Sequence, residues 1–203
     1  KNFILDTTNQ PTDLTNAKSI EIGENEISVE VENSKITKTG KYDVELVKKG
    51  TDGTLLGGVI FNARSIVNDA ETGKDVTTDN TKAVLCDSIT IGDVSKSDTI
   101  TITEKDIGNN PGYYMGLNEN EKIVLTVKKK ETKKSDTEIE KSVSDIELKV
   151  GNTKATKEKV GKSYRYVVEK TLENGQKIKI IAQITSKNAI TITVENPKIE
   201  GAY

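Results

Sequence analysis

Three polar side chains stand where alternating apolar rows should end. Successive side chains of a β-strand point to opposite faces. The run Tyr42–Lys49 puts Tyr42, Val44, Leu46 and Lys48 on one face, and Asp43, Glu45, Val47 and Lys49 on the other. The run Asp98–Glu104 lines up Ile100, Ile102 and Glu104, with Thr99, Thr101 and Thr103 opposite. The run Ala189–Asn196 lines up Ile190, Ile192, Val194 and Asn196, with Thr191, Thr193 and Glu195 opposite. An amine, a carboxyl and an amide thus each close an apolar row. Buried charges shift their protonation or find partners, because leaving them bare is expensive. An amine and a carboxyl sharing a proton in an apolar pocket approach a neutral amine and a neutral acid, and a neutral amine is a nucleophile. Attack of Lys48 Nζ on Asn196 Cγ would expel ammonia and leave an amide crosslink. Glu104 would be its catalyst, polarising the Asn196 carbonyl when protonated and moving the protons. Such a reaction uses no cofactor and no metal, only held geometry. Taken singly, each of the three also fits an ordinary strand end, where a lysine reaches out to water. Lys49 and Asn188 are the alternative partners, but Lys49 has the outward phase and Asn188 sits in a turn.

The elements that would hold these groups are strands. Period-2 alternation dominates, and helical periodicity is nearly absent. Strand-like runs recur at 26–31, 42–49, 58–63, 83–91, 98–104, 122–128, 145–150, 164–170, 176–185 and 189–196, rich in Val, Ile and Thr. Turn residues separate them, and Asn174-Gly175 between two alternating runs is a strong hairpin signal. The pattern predicts an all-β, immunoglobulin-like or prealbumin-like sandwich of mostly antiparallel strands with polar insertions. Ile66–Lys82 reads as loop and Lys129–Lys141 as a solvated connection.

Composition narrows the function. The 203 residues carry 30 Lys+Arg against 32 Asp+Glu, a balance without the clustered basic face of a nucleic-acid binder. There is no His, hence no His-dependent triad, and there is no Trp. No Gly-rich phosphate loop or metal-ligand cluster stands out, so an enzyme such as a carboxylate-based hydrolase is disfavoured. Cys86, alone and within an apolar run, reads as a buried inert thiol. No stretch approaches the roughly 20 apolar residues of a membrane span. Apolar residues are only 33% of the chain, so a thin domain would gain from a covalent staple.

One segment occurs twice. Glu26–Ile36 (EISVEVENSKI) and Ala189–Ile199 (AITITVENPKI) match in type and phase, 163 residues apart. Each is followed by Gly-x-Tyr, at Gly40-Lys41-Tyr42 and Gly201-Ala202-Tyr203. The reading is a tandem array of whole domains: residues 1–38 end a preceding repeat or supply linker strands, 39–200 form one domain, and 201–203 open the next.

From Lys41 to Glu200 the chain resembles the collagen-adhesin B-type domain, also called the prealbumin-like pilin domain, of Gram-positive surface proteins. The resemblance lies in Tyr42-Asp43-Val44-Glu45-Leu46-Val47-Lys48, the turn Thr51-Asp52-Gly53, and Leu56-Gly57-Gly58-Val59-Ile60-Phe61. It continues in Thr101-Ile102-Thr103-Glu104 followed by Pro111-Gly112-Tyr113, and in Thr193-Val194-Glu195-Asn196-Pro197. The family usually has Gly-Ala where Gly58-Val59 stands, and its span between crosslinking residues is shorter. The resemblance implies a stalk or pilin-type repeat on the outside of the cell wall, with Lys48 and Asn196 joined by an isopeptide bond and Glu104 as catalyst. Neighbouring repeats are the implied partners. A ligand-binding module for host surface proteins is the alternative on the same fold, with Pro111–Met115 as its candidate patch.

Overall fold

The computed structural model describes residues 35–185 and 188–199. The chain divides after Ser34 into two units, and the described strands all belong to the second, Lys35–Tyr203. The strand expected at 26–31, residues 26–34 of the first copy of the repeated segment and the second Gly-x-Tyr lie outside the described residues.

The described residues form strands and no helix. In chain order these are β1 (Ile36–Thr39), β2 (Lys41–Gly50), β3 (Ile60–Val67), β4 (Ala70–Thr77), β5 (Val84–Thr90), β6 (Asp98–Asp106) and β7 (Ile123–Lys133). They continue with β8 (Glu138–Val150), β9 (Thr153–Lys154), β10 (Thr156–Val160), β11 (Ser163–Thr171), β12 (Lys177–Ile184) and β13 (Ala189–Asn196). One sheet runs β1-β8-β7-β6-β3-β4, with β9 also on β8; the other runs β10-β11-β12-β13-β2-β5. Pairing is antiparallel except for β1 with β8 and β13 with β2. The fold is an all-β sandwich, as the alternation predicts. β1 begins at Ile36.

The alternation does the packing. In β2 the even residues Tyr42, Val44, Leu46 and Lys48 are buried, while the odd residues between them are half-buried. Phe61, Ile100, Ile102, Ile123, Leu125, Ile146, Ile178, Ile180, Ile190 and Ile192 complete a continuous core between the sheets. Each such side chain, fully removed from water, contributes about 1.5–3 kcal/mol. Cys86 lies in this core, and burial pushes its thiol up to about 12, which leaves it inert at neutral pH.

Two segments differ from their sequence reading. Ile66–Lys82 is loop only at 78–82: before that, β3 and β4 form a hairpin closed by Asn68-Asp69, both at positive φ (50° and 64°). That is the backbone of a tight two-residue hairpin turn, which Asn and Asp tolerate. The residue pattern does not betray the strand, because β4 is an edge strand with only Val76 buried and carries no apolar alternation. Lys129–Lys141 likewise belongs to the paired arms of β7 and β8, joined at 134–137. Its backbone ladder is complete although its side chains are charged, with Lys134 paired to Glu140 at 2.6 Å. β1 adds to the same arm.

At the start of that arm Lys129 is buried against Asp98, with Nζ 3.1 Å from the carboxylate and side-chain exposures of 0% and 2%. The Asn68 N–H also donates to Asp98 Oδ1. Oδ2 sits beside Nζ as an ion pair, without the geometry of a hydrogen bond. Removing one partner of a buried pair strands the other's charge. Lys129→Ala is therefore expected to cost about 3–5 kcal/mol in chemical denaturation, and Asp98→Leu with Lys129→Met to recover most of it.

Candidate crosslinking site

Lys48 and Asn196 come together because β2 and β13 are parallel neighbours. Lys48 pairs in register with Val194, and Asn196 lies two residues further along the same inward face. Glu104 comes from the facing sheet, on β6, in register with Phe61 of β3. Amine and amide thus belong to one sheet, and the carboxyl meets them across the core.

The contacts are short and dry. Lys48 Nζ donates to Glu104 Oε1 at 2.7 Å and to Asn196 Oδ1 at 2.9 Å. Relative exposure is 0% for Lys48 and 3% for both Glu104 and Asn196. Glu104 Oε2 accepts the backbone N–H groups of Gly116 (3.2 Å) and Leu117 (3.3 Å). Asn196 Nδ2 donates to the Tyr114 carbonyl at 2.8 Å, which turns Oδ1 toward the lysine. The Phe61 ring centroid lies 6.0 Å from Nζ and forms an apolar wall. Burial holds the Lys48 pKa below its ordinary value of 10.5, against the opposing pull of the Glu104 charge and hydrogen bond.

All three residues singled out in the sequence meet here. One contact differs in detail: among the described hydrogen bonds none joins Glu104 to Asn196, because the ammonium lies between them and donates to both. The alternative partners lie elsewhere. Lys49 pairs with Glu195 at 3.2 Å on the outer face, and Asn188 occupies a turn at φ 54°.

Sequence reasoning passed over two features. The row Ile123, Leu125, Val127 ends on Lys129 as the β2 row ends on Lys48, and the row Asp98, Ile100, Ile102 begins on a carboxylate. The phase rule marks that second buried pair equally well. The backbone donors and acceptor of residues 114–117 carry no residue-type signal, apart from the glycine.

No family model and no curated protein matches the sequence. Among solved structures the chain is similar to the C-terminal fragment of the pilus adhesin SpaC from Lactobacillus rhamnosus GG. For that fragment identity is 11% and TM-score 0.44, covering 79% of this chain and 46% of that one. An iodide-soaked form of the fragment gives 14% and 0.42, covering 78% and 45%. The open conformation of the same adhesin gives 10% and 0.40, covering 78% and 14%. The chain spans less than half the length of each of these.

The lowered Lys48 pKa fixes a pH dependence. Between that value and 10.5 the unfolded chain binds more protons at this position than the folded one, so the unbonded fold gains stability as pH rises. Asn196→Ala, which has no amide to react, should therefore gain stability in chemical denaturation as pH rises toward 10.5, and a stability that stays flat over that range would contradict the lowered Lys48 pKa.

Proposed function

We propose that this chain carries a stalk or pilin-type repeat of a Gram-positive cell-surface adhesin, closed by a self-formed amide bond between Lys48 and Asn196. The observation that carries the proposal is the fully buried Lys48 Nζ, in hydrogen-bond contact with a carboxylate and a primary amide at once. The cell-surface setting rests on the ordered motifs around Lys48, Glu104 and Asn196.

The chemistry balances within the site. The Lys48 ammonium gives one proton to Glu104, and the neutral amine attacks Asn196 Cγ. A second proton leaves Nζ and reaches Nδ2, with Glu104 relaying. The Cγ–Nδ2 bond breaks, ammonia departs, and the surplus proton passes to solvent. Low dielectric and fixed positions take the place of a cofactor.

The bond would have a mechanical purpose. β2 and β13 run parallel, so the chain enters at one end of the sandwich, near Lys41, and leaves past Asn196 at the other. Tension along the chain would shear these two central strands apart. A bond from Lys48 to Asn196 hands the force straight across and leaves the 148-residue span between them unloaded. In the chain-entropy model, closing so long a loop also stabilises the fold by about 5 kcal/mol.

Single-molecule pulling tests this reading. Asn196→Ala keeps the Lys48–Glu104 pair but removes the electrophile, and its unfolding should release up to about 500 Å of chain from the enclosed span. Wild type should show no such release. Equal extensions in the two proteins would sink the stalk mechanism.

A further inference from the structure

The loop between β6 and β7 touches the reacting groups through its backbone. The Tyr114 carbonyl accepts the Asn196 Nδ2–H, and the Gly116 and Leu117 N–H groups hold Glu104 Oε2. The loop is itself pinned. Lys170 Nζ, from β11, donates to the Gly116 carbonyl at 3.1 Å and pairs with Glu121 at 2.6 Å, and Glu121 accepts the Asn118 N–H. The fit at Gly116 leaves no room for a side chain. A Cβ there would lie 2.9 Å from Asn196 Nδ2 and 3.2 Å from Oδ1, and would clash with Ile178 Cδ1. Gly116 therefore lies directly against the amide that reacts.

We propose that residues 114–117 form a backbone-built fourth component of the crosslinking site, with Gly116 as its positioning residue and Lys170 as its anchor. This rests on the crosslinking reading above and deepens it. The amide must present Oδ1 and Cγ to Lys48 while Nδ2 stays where a proton can reach it. Among the described residues, the Tyr114 carbonyl is the acceptor that fixes that orientation. The two N–H groups hold one oxygen of Glu104, leaving the other to take the proton from Nζ. When the Nζ–Cγ bond forms and the Cγ–Nδ2 bond breaks, Nδ2 leaves with the relayed proton as ammonia. It departs beside a cleft of about 330 Å³ lined by Tyr114, Met115, Gly116, Ile178, Asn196 and Pro197. The loop thus sets the amide's orientation and borders the exit of the leaving group.

The test tracks ammonia loss over time by intact mass in full-length protein from cell-free synthesis. Gly116→Ala is made together with Ile178→Val, which removes the clashing methyl, so that only the contact with Asn196 remains. Ile178→Val alone supplies the reference rate for the double variant. The double variant should fold, as judged by protease resistance and the near-ultraviolet tyrosine signal, yet react roughly ten- to a hundred-fold more slowly, the scale for displaced reacting groups. Lys170→Met, which acts on the site through the Gly116 carbonyl, should also fold and react several-fold more slowly, and it decides the matter if the double variant does not fold. A wild-type rate in either folded variant overturns the positioning role. A wild type that keeps its ammonia overturns the crosslink itself, and this role with it, so the two failures are distinct.

Discussion

The site depends on a lysine ammonium held out of water between two sheets. In bulk water Lys48 would be protonated and inert, and its neighbours would be solvated. With no exposure and, among the described residues, only Glu104 and Asn196 as hydrogen-bond partners, the charged form loses hydration that two hydrogen bonds only partly replace. That cost opposes the charged amine and holds the Lys48 pKa below its ordinary value. In the proposed reaction the apolar rows of β2, β6 and β13 would serve the chemistry as well as the stability, because they exclude water from it.

The second buried lysine shows why burial alone is not enough. Lys129 meets Asp98, a carboxylate that also accepts the Asn68 N–H. A carboxylate is a poor electrophile and carries no amine to leave, and among the described residues no amide bridges this pair. Lys48 meets a carboxylate and a primary amide together. The same ammonium thus serves as one half of an ion pair at one end of the sandwich, and as the proposed nucleophile at the other.

Strand phase made much of this legible in the sequence. The rows ending in Lys48, Glu104 and Asn196 fixed which face each residue would take, and β13 begins and ends where the alternation did. The same rule explains what stayed hidden. Edge strands such as β4 bury almost nothing and so carry no alternation. The charged arms of β7 and β8 are held by their backbone ladder, which residue types do not report. The backbone clamp at 114–117 was invisible for a related reason: carbonyls and N–H groups are common to every residue, and only Gly116 hints that something lies close. The adjacency of Lys48 and Asn196 required the parallel pairing of the first long strand with the last, a long-range fact that no local pattern contains.

The central claim, that Lys48 and Asn196 become one amide through Glu104, is tested most directly by the intact mass of the denatured protein beside that of Glu104→Ala. The account predicts wild type lighter than its sequence mass by one ammonia, with the variant at full mass. Wild type at its full sequence mass would contradict it, and would leave Lys48, Glu104 and Asn196 as a buried hydrogen-bonded cluster holding the two sheets together.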